Sequence, residues 1–348
     1  MREDRERFAP SELAVVLSHY DLGVIASVKE FPRGSRKSPK LLLRGANNRR
    51  YLLKRRAGGR DDPVKVAFAH ALLTHLRMRG FPIPALLGTR IDQNSMLQLE
   101  GHTYELFEFM EGQRYDGSLE QTTHAGKTLA RFHRAVEDFQ TEWVSPAGSY
   151  HDAPPVRTGL NAIPSGTASH DSVIGREAEL LALTQNLHER YDQAAEQVTD
   201  CGYADWPATI IHGDWHPGNM LFHRGKVTAV LDLDAARRQP RVVDVANGIL
   251  QFSILRGRST PDEWPDFFDE TRMRRLFMGY VQRQAIPEQQ RRAIPHLMIE
   301  SLIAECVVPI AVTGSFGWLP GFSVLQMVQR KVRWLTDVTE RLLEWLLE

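Results

Sequence analysis

The first 110 residues carry short apolar runs separated by turn residues, a pattern typical of β-strands. The predicted strands span residues 22–31, 40–44, 50–54, 96–99 and 103–110. A short helix that opens at Pro10 precedes them, and residues 64–79 have apolar positions at helical spacing up to Gly80. The pattern therefore predicts a small antiparallel β-sheet accompanied by one main helix.

Beyond Gly112 the apolar positions recur every three or four residues, which predicts helices. The predicted helices span residues 119–139, 171–198, 241–256, 262–283, 287–306 and 322–347. Residues 145–170 are rich in Pro, Gly, Ser and His and predict an extended connection. This change of pattern predicts one domain of residues 1–110 and a second of residues 111–348, joined at a hinge of residues 108–112.

The composition bounds the class of protein. The 348 residues, 42% of them hydrophobic, can bury a core and suggest about two domains. The 43 basic and 43 acidic residues cancel, which disfavours a nucleic-acid partner. Cys201 and Cys306 are too few for a disulfide framework and indicate a reducing compartment. No apolar stretch reaches the roughly 18 residues of a membrane span, and the N-terminus does not resemble a signal peptide, so we expect a cytoplasmic protein without a membrane partner.

The most specific chemical signal is the segment of residues 212–221, His-Gly-Asp-Trp-His-Pro-Gly-Asn-Met-Leu, which an apolar run separates from Asp232. In kinases an Asp accepts the proton of the acceptor hydroxyl, and an Asn five residues later and a second Asp on the next strand hold a metal ion. Asp214, Asn219 and Asp232 have this spacing. A lone Asp-x4-Asn also occurs where loop residues cap a helix, but the flanking strands and Asp232 favour phosphoryl transfer.

This segment resembles the catalytic segment of the aminoglycoside phosphotransferase / choline kinase superfamily, in its homoserine-kinase-like or spore-coat- and stress-kinase-like branch. Residues 231–234 match the family's aliphatic-Asp-aliphatic-acid run, and Asp244 matches the Asp-aliphatic-Ala that follows it. The resemblance implies an α+β, protein-kinase-like fold of two lobes, with an antiparallel β-sheet in the N-terminal lobe and a mainly helical C-terminal lobe. It also implies Asp214 as the catalytic residue, ATP as the phosphate donor, and Asn219 and Asp232 as ligands of Mg²⁺, a cation that prefers oxygen.

Lys54 ends a predicted strand, where this fold places the Lys that grips the α- and β-phosphates of the nucleotide. A Lys at a strand end is otherwise common. Its usual partner, a Glu in the following helix, is missing, because Ala69 or His70 takes that position and no Glu occurs between residues 62 and 100. Either the ion pair is replaced, or the alignment is wrong, or the lobe is arranged differently.

Two further segments are candidates for nucleotide contacts. Gly34 and Ser35 belong to a basic turn of residues 32–38 between the first two strands, where the nucleotide-covering loop belongs; a solvated turn is an equal alternative. The resemblance also implies that the C=O of Glu108 and the N–H of Met110 bond adenine at the hinge. The same residues can equally form a core strand followed by a turn.

The histidines of the segment allow several roles. His216 takes the place of a phosphate-neutralising Lys of protein kinases, so its imidazole is a candidate γ-phosphate ligand; a loop-surface role is an equal alternative. We expect His212 to brace the loop through backbone hydrogen bonds. A zinc site that includes His223 is disfavoured, because the Glu of metallopeptidase motifs is absent.

The predicted acceptor is the hydroxyl of a small molecule such as an amino alcohol or an amino sugar. A protein Ser/Thr kinase of the same fold is an alternative, and so is a non-catalytic pseudokinase, which the missing helix Glu favours. Asp234, Glu300 and Glu305 are candidate contacts for a cationic acceptor, although each can equally be solvated or paired. Phe316 and Trp318 form an aromatic loop that is a candidate lining of the acceptor site. We expect a monomer or a homodimer.

Overall fold

A computed structural model describes residues 5–167, 172–255, 257 and 260–348. The strands are β1 (Ile25–Glu30), β2 (Lys40–Gly45), β3 (Arg50–Arg55), β4 (Leu97–Leu99), β5 (His102–Glu108), β6 (Ala208–Ile211), β7 (Met220–His223), β8 (Lys226–Val230), β9 (Arg237–Pro240), β10 (Ser315–Phe316) and β11 (Leu319–Pro320). The helices are α1 (Pro10–Ser18), α2 (Pro63–Met78), α3 (Leu119–Ala135), α4 (Pro154–Gly166), α5 (Glu177–Asp200), α6 (Arg241–Ser253), α7 (Glu270–Val281), α8 (Glu288–Thr313), α9 (Gly321–Asp337) and α10 (Thr339–Leu347).

The chain divides into two compact units, each of which combines segments that are distant in sequence. The first, here called the sheet unit, contains Met1–Arg114, Ala135–Pro146 and Asn219–Ala236. The second, the helical unit, contains Tyr115–Arg134, Ala147–Gly218 and Arg237–Glu348. The predicted domain limits at residue 110 and the hinge at residues 108–112 stay predictions.

The sheet unit is built on five antiparallel strands in the order β1-β2-β3-β5-β4. Side chains alternate across the sheet, so Leu43, Leu53 and Leu106 are fully buried in a core that Val16 of α1 also enters. The other face of the same strands carries charged residues, including Lys54 and Glu105. The predicted antiparallel sheet and mainly helical remainder are confirmed.

A separate hairpin of β7 and β8 also belongs to the sheet unit. Met220 pairs with Val230, and the N–H of Leu231 donates to the carbonyl of Asn219 at 2.8 Å. The open end of this hairpin therefore places the backbones of Asn219 and Asp232 side by side.

The helical unit is organised around α8, which packs against α4, α5, α6, α9 and α10. Helices α3 and α7 approach each other closely where Gly126 and Gly279 lie. A Cβ atom at Gly126 would overlap the carbonyl of Leu276, and one at Gly279 would overlap the carbonyl of Thr123. Glycine is therefore required at this crossing because the helix backbones touch.

The prediction that no segment has the length and apolarity of a membrane span needs a correction at helix α8. By length and composition alone α8 meets that test, but 61% of its most apolar window is buried inside the protein. A core helix passes the same test, and the packing of α8 against five other helices matches that description.

Two predicted elements were wrong, and the predicted helix 262–283 begins only at Glu270, as α7. Residues 145–170 contain helix α4, which Pro154 can open because a first-turn residue needs no N–H donor, although residues 168–170 lie outside the described chain. The predicted helix 322–347 is two helices, because Val338 leaves helical geometry (φ −104°, ψ 4°) between α9 and α10. Predicted position 171 also lies outside the described residues, and α5 begins at Glu177.

Candidate active site

Three charged residues form a row across the sheet. Lys40 of β2 pairs in register with Lys54 of β3, and Lys54 pairs with Glu105 of β5. The Lys54 Nζ atom lies 3.3 Å from Glu105 Oε2 and 3.5 Å from Asp234 Oδ2. The missing helix Glu is thus replaced by a Glu on the neighbouring strand.

Helix α2 still reaches this ion pair, through His70. Its Nε2 atom lies 2.7 Å from Glu105 Oε1, and its Nδ1 atom lies 2.8 Å from the hydroxyl of Ser95. The position that a Glu normally occupies therefore holds a residue that fixes Glu105. The ion pair is replaced rather than lost.

Glu105 and Asp234, the two carboxylates that face Lys54, also bind a second cation, Arg56. Its guanidinium donates to Glu105 at 3.0 Å and to both oxygens of Asp234, at 2.6 and 3.0 Å. Burial alone would lower the pKa of Lys54, but the charges of Glu105 and Asp234 outweigh it and hold that pKa above its usual value. Asp234 is therefore paired within the sheet unit, which argues against its candidate role as an acceptor contact.

Lys40 is a candidate phosphate contact that the sequence analysis missed. Its ammonium group donates to the carbonyl of Arg33 at 3.3 Å and lies against Gly34. Burial and the nearby charge of Lys54 lower the pKa of Lys40. The sequence could have predicted this position, because a hairpin of the predicted strands 40–44 and 50–54 places Lys40 opposite Lys54.

The turn that contains Gly34 and Ser35 lies between β1 and β2, as predicted, and Gly34 adopts the left-handed region at φ +78°. The Arg5 guanidinium donates to the carbonyls of both residues, at 3.3 and 3.2 Å. The Ser35 hydroxyl accepts from the N–H of Lys37 at 3.2 Å. The N-terminal segment thus holds this turn, and a role in covering phosphate stays a prediction.

The predicted adenine-binding residues Glu108 and Met110 stand at the end of β5 and just beyond it. The N–H of Glu108 donates to Ala85 at 2.8 Å, and that of Phe109 donates to Arg50 at 3.0 Å. The segment is therefore a strand of the sheet, which is compatible with both sequence interpretations. Adenine readout stays a prediction.

The predicted metal ligands Asn219 and Asp232 are brought together by the β7–β8 hairpin. Asp232 adopts the left-handed region at φ +64°, a conformation that Asp tolerates better than most residues and that often marks functional sites. The described residues contain no group of three His, Cys, Asp or Glu side chains able to hold a metal ion. Mg²⁺ in nucleotide sites needs only one or two protein oxygens beside the phosphates, so the pair fits Mg²⁺.

The predicted base Asp214 lies on a loop of the helical unit with 44% of its side chain exposed. Its Oδ2 atom lies 3.4 Å from His216 Nε2, while His216 Nδ1 accepts from the N–H of Gly218 at 2.9 Å. In a neutral ring Nε2 then carries the proton and points at Asp214. The structure therefore places His216 as a partner of Asp214, and a phosphate contact stays a prediction.

The backbone of this loop is fixed by Asp244 of α6, which is fully buried. Its carboxylate accepts from the N–H groups of His212 and Gly213, at 2.6 and 2.8 Å, and lies 3.1 Å from His133 Nε2. Burial would raise the pKa of Asp244, but these contacts lower it. His212 is also fully buried, and its Nδ1 accepts from the N–H of Asp214 at 3.3 Å, as expected of a brace.

Of the remaining acidic candidates, Glu300 and Glu305 differ. Glu300 is fully buried. Its Oε1 atom lies 3.1 Å from His151 Nδ1 and accepts a hydrogen bond from the N–H of Asp152 at 3.0 Å. Glu305 is electrostatically coupled to Asp214, and burial raises its pKa to about 7. Of these two, Glu305 is the one whose charge interacts with that of Asp214, and its role as an acceptor contact stays a prediction. The aromatic loop is the β10–β11 hairpin, and its Trp318 is 78% exposed.

A five-stranded sheet that carries a Lys–Glu pair, and a helical unit that presents Asp214 on a braced loop, define a phosphotransferase of the protein-kinase-like fold. Residues 27–286 match the phosphotransferase enzyme family. The chain therefore belongs to this family and is a kinase. The resemblance inferred from residues 212–234 and Asp244 is confirmed.

Individual relatives agree with this assignment. The chain is 25% identical over 334 residues to a homoserine kinase of Granulibacter bethesdensis, covering 92% of this chain and 89% of that one. Its fold is similar to that of an aminoglycoside phosphotransferase from Alicyclobacillus acidocaldarius (TM-score 0.70, 19% identity, covering 99% and 97% of the two chains). It is also similar to a microcompartment-associated aminopropanol kinase (TM-score 0.71, 13% identity, covering 96% and 98%).

The ion-pair row gives the first testable prediction. Replacing Glu105 with Gln removes the charge that faces Lys54 and Arg56, and leaving buried cations without their partner typically destabilises a protein by about 3–5 kcal/mol. We expect that loss in urea unfolding, together with weaker nucleotide binding. Glu30→Gln is the matched control, because Glu30 lies in the same sheet in an exposed pair with Arg7. Unchanged unfolding and binding of Glu105→Gln would contradict the assignment.

Proposed function

We propose that this kinase is an ATP- and Mg²⁺-dependent phosphotransferase that moves the γ-phosphate to a hydroxyl group of a small molecule. The observation that carries the proposal is Asp214, an accessible carboxylate on a loop whose backbone Asp244 holds in place. Such a carboxylate is suited to orient a hydroxyl and take its proton, and the fixed backbone keeps it in one geometry.

The residues of the sheet unit have complementary roles. Lys54, held by Glu105, would grip the α- and β-phosphates, and Lys40 beside it would add a second positive charge. Asn219 and Asp232 would hold Mg²⁺, which neutralises phosphate charge when bound. The acceptor oxygen forms a bond to the γ-phosphorus as the bond to the β-phosphate oxygen breaks, and the hydroxyl proton passes to Asp214.

The pseudokinase alternative loses its main support. It rested on the absence of a helix Glu, and Glu105 with His70 supplies the equivalent ion pair to Lys54. The names of the relatives, which include a homoserine kinase and an aminopropanol kinase, support a small amino alcohol as acceptor. The cytoplasmic location and the monomeric or homodimeric state stay predictions.

The proposal is tested by a phosphate-transfer screen. The purified chain is incubated with γ-labelled ATP and Mg²⁺ against hydroxy amino acids, amino alcohols, amino sugars and a Ser/Thr-containing protein. We expect transfer to a small molecule and none to the protein. Transfer to the protein alone would establish the protein-kinase alternative.

The metal assignment gives a second prediction. Replacing Asp232 with Asn should abolish the Mg²⁺ dependence of nucleotide binding, because an amide is a poorer ligand of a hard cation than a carboxylate. Asn tolerates the left-handed region as Asp does, so the change tests charge rather than backbone strain. Calorimetric ATP titrations with and without Mg²⁺ provide the measurement, with the exposed Asp200→Asn as control. Identical Mg²⁺ dependence in Asp232→Asn and parent would exclude this role.

A further inference from the structure

Residues 5–8, here called the N-terminal strap, precede helix α1 and reach the turn of residues 32–38. The Arg5 guanidinium donates to three carbonyls of that turn, at 3.2 to 3.3 Å. The next residue adds a backbone contact, because the N–H of Glu6 donates to the carbonyl of Arg36 at 3.1 Å. The strap therefore engages four carbonyls of this turn.

The strap is anchored to the sheet through Arg55 of β3. Glu6 accepts from the Arg55 guanidinium at 2.9 Å, and the same guanidinium donates to Glu12 of α1 at 2.7 Å. It also lies 5.4 Å from the ring centre of Phe8, a favourable distance for a cation over an aromatic ring. Arg55 is buried, so the strap connects the turn to the interior of the sheet unit.

A cavity of about 260 Å³ lies between the strap and strands β1 and β2. Its apolar lining includes Phe8, Val28, Phe31 and Leu41. Arg7 forms an exposed ion pair with Glu30 at 3.2 Å, and pairs of this kind contribute little to stability. Because the cavity separates the strap from the strands, polar contacts rather than packing hold the turn, and Arg5 makes most of them.

The same contacts orient two N–H groups of the turn. In a trans peptide the N–H points away from the preceding carbonyl. The carbonyl of Arg33 accepts from Lys40 at 3.3 Å, so the N–H of Gly34 points away from that ammonium group. The carbonyl of Gly34 accepts from Arg5, so the N–H of Ser35 points away from the guanidinium. Neither N–H donates to a residue that the structure describes. Successive N–H groups around a left-handed residue such as Gly34 form a concavity that binds anions.

We propose that Arg5 is a positioning residue for the nucleotide, because it holds the turn of residues 32–38 in the form whose N–H groups donate to phosphate oxygens. The inference rests on the proposed function, since it concerns the phosphates of ATP. Lys40 touches this turn and pairs in register with Lys54, so the turn adjoins the proposed phosphate contacts within the sheet unit. Without Arg5 the turn would adopt other conformations as well, and the affinity for nucleotide would fall with the fraction of molecules in the competent form.

Nucleotide binding provides the first measurement. Arg5→Gln should raise the Kd of a non-hydrolysable ATP analogue with Mg²⁺ by about 3- to 10-fold in calorimetric titrations, the range for the loss of a hydrogen bond. KM for ATP should rise by the same factor, while kcat at saturating ATP stays at the parent value, because bound nucleotide restores the turn. Arg7→Gln is the matched control, since it removes a positive charge from the same strap and its ion pair with Glu30 leaves the turn untouched.

Trypsin cleavage follows the turn itself in the absence of nucleotide. The turn offers this protease Arg33, Arg36 and Lys37, and cleavage of a folded protein reports the population of the opened segment. Arg5→Gln should be cut in the turn about 3- to 10-fold faster than the parent and Arg7→Gln, with the products assigned by mass. The ATP analogue should slow this cleavage in the parent. Urea unfolding should be the same for the three proteins, because neither Arg5 nor Arg7 is buried.

The outcomes separate this inference from the proposed function. If the parent binds nucleotide and Arg5→Gln binds it equally well, Arg5 does not position the turn, although the phosphotransferase stands. An equal loss of binding in Arg5→Gln and Arg7→Gln would assign the effect to net charge and reject the inference. Faster cleavage without weaker binding would reject it too, and so would weaker binding without faster cleavage, which indicates a direct phosphate contact. If the parent binds no nucleotide with or without Mg²⁺, the inference and the proposed function both fail.

Discussion

Replacing Asp214 with Asn is expected to lower kcat for phosphoryl transfer by about 10²- to 10⁴-fold, the contribution typical of a positioned general base. Asn keeps the shape of the side chain but cannot take the hydroxyl proton. KM for the nucleotide should change little, because the predicted phosphate and metal contacts are made by other residues. Initial rates at saturating acceptor and Mg²⁺–ATP provide the measurement.

Folding should be unaffected by this change, which makes the kinetic result interpretable. The Asp214 side chain is 44% exposed, and substitutions at accessible positions usually change stability by no more than about 0.5 kcal/mol. Asp214→Glu is a second probe, because it keeps the charge and moves it by one methylene. A parent-like kcat in Asp214→Asn at unchanged stability would remove Asp214 from the role of base.

Local patterns were enough to predict most of the fold. Short apolar runs bounded by charged residues mark β2 and β3 to within a residue. The chemistry of the catalytic segment was equally visible, because Asp214, Asn219 and Asp232 are few residues apart. Features of this kind depend on neighbours in sequence.

Features set by long-range contacts were not predictable in this way. Glu105 is separated from Lys54 by 51 positions in the numbering, and only the pairing of β3 with β5 makes them partners. Within the sequence around it, Glu105 was marked only as a charged residue between two apolar residues of a predicted strand, Tyr104 and Leu106. The position of Glu305 likewise depends on its hydrogen bonds to Asn247 and Gln251 of α6, which helical periodicity does not describe.

The prediction of an extended connection at residues 145–170 was wrong for a different reason. Pro and Gly residues suggested that residues 145–170 are extended, yet Pro154 lies at the start of α4, where proline is well tolerated. Tertiary packing then decides the outcome, because Val156, Leu160 and Ile163 bury one face of this helix.

Replacing Asp244 with Asn should lower stability and should reduce activity as well. The buried carboxylate serves three donors, the N–H groups of His212 and Gly213 and the ring of His133. An amide removes the charge and turns one acceptor oxygen into a donor, and each lost hydrogen bond to a buried charged group costs about 1.5–3 kcal/mol. Urea unfolding should show this loss, and kcat should fall because the loop that carries Asp214 loses its support.

The pH dependence distinguishes a charge effect from a packing effect in Asp244→Asn. The pKa of Asp244 is lower in the folded protein than in the unfolded chain, so its contribution to stability is present above about pH 4 and is lost as the pH falls through the folded pKa. The stability difference between parent and variant should therefore shrink below about pH 4. Asp269→Ala, which removes the cap of α7 at the N–H of Arg272, is the control for a modest loss of stability without loss of activity. If folded Asp244→Asn keeps the parent kcat, Asp244 stabilises the fold without positioning the base.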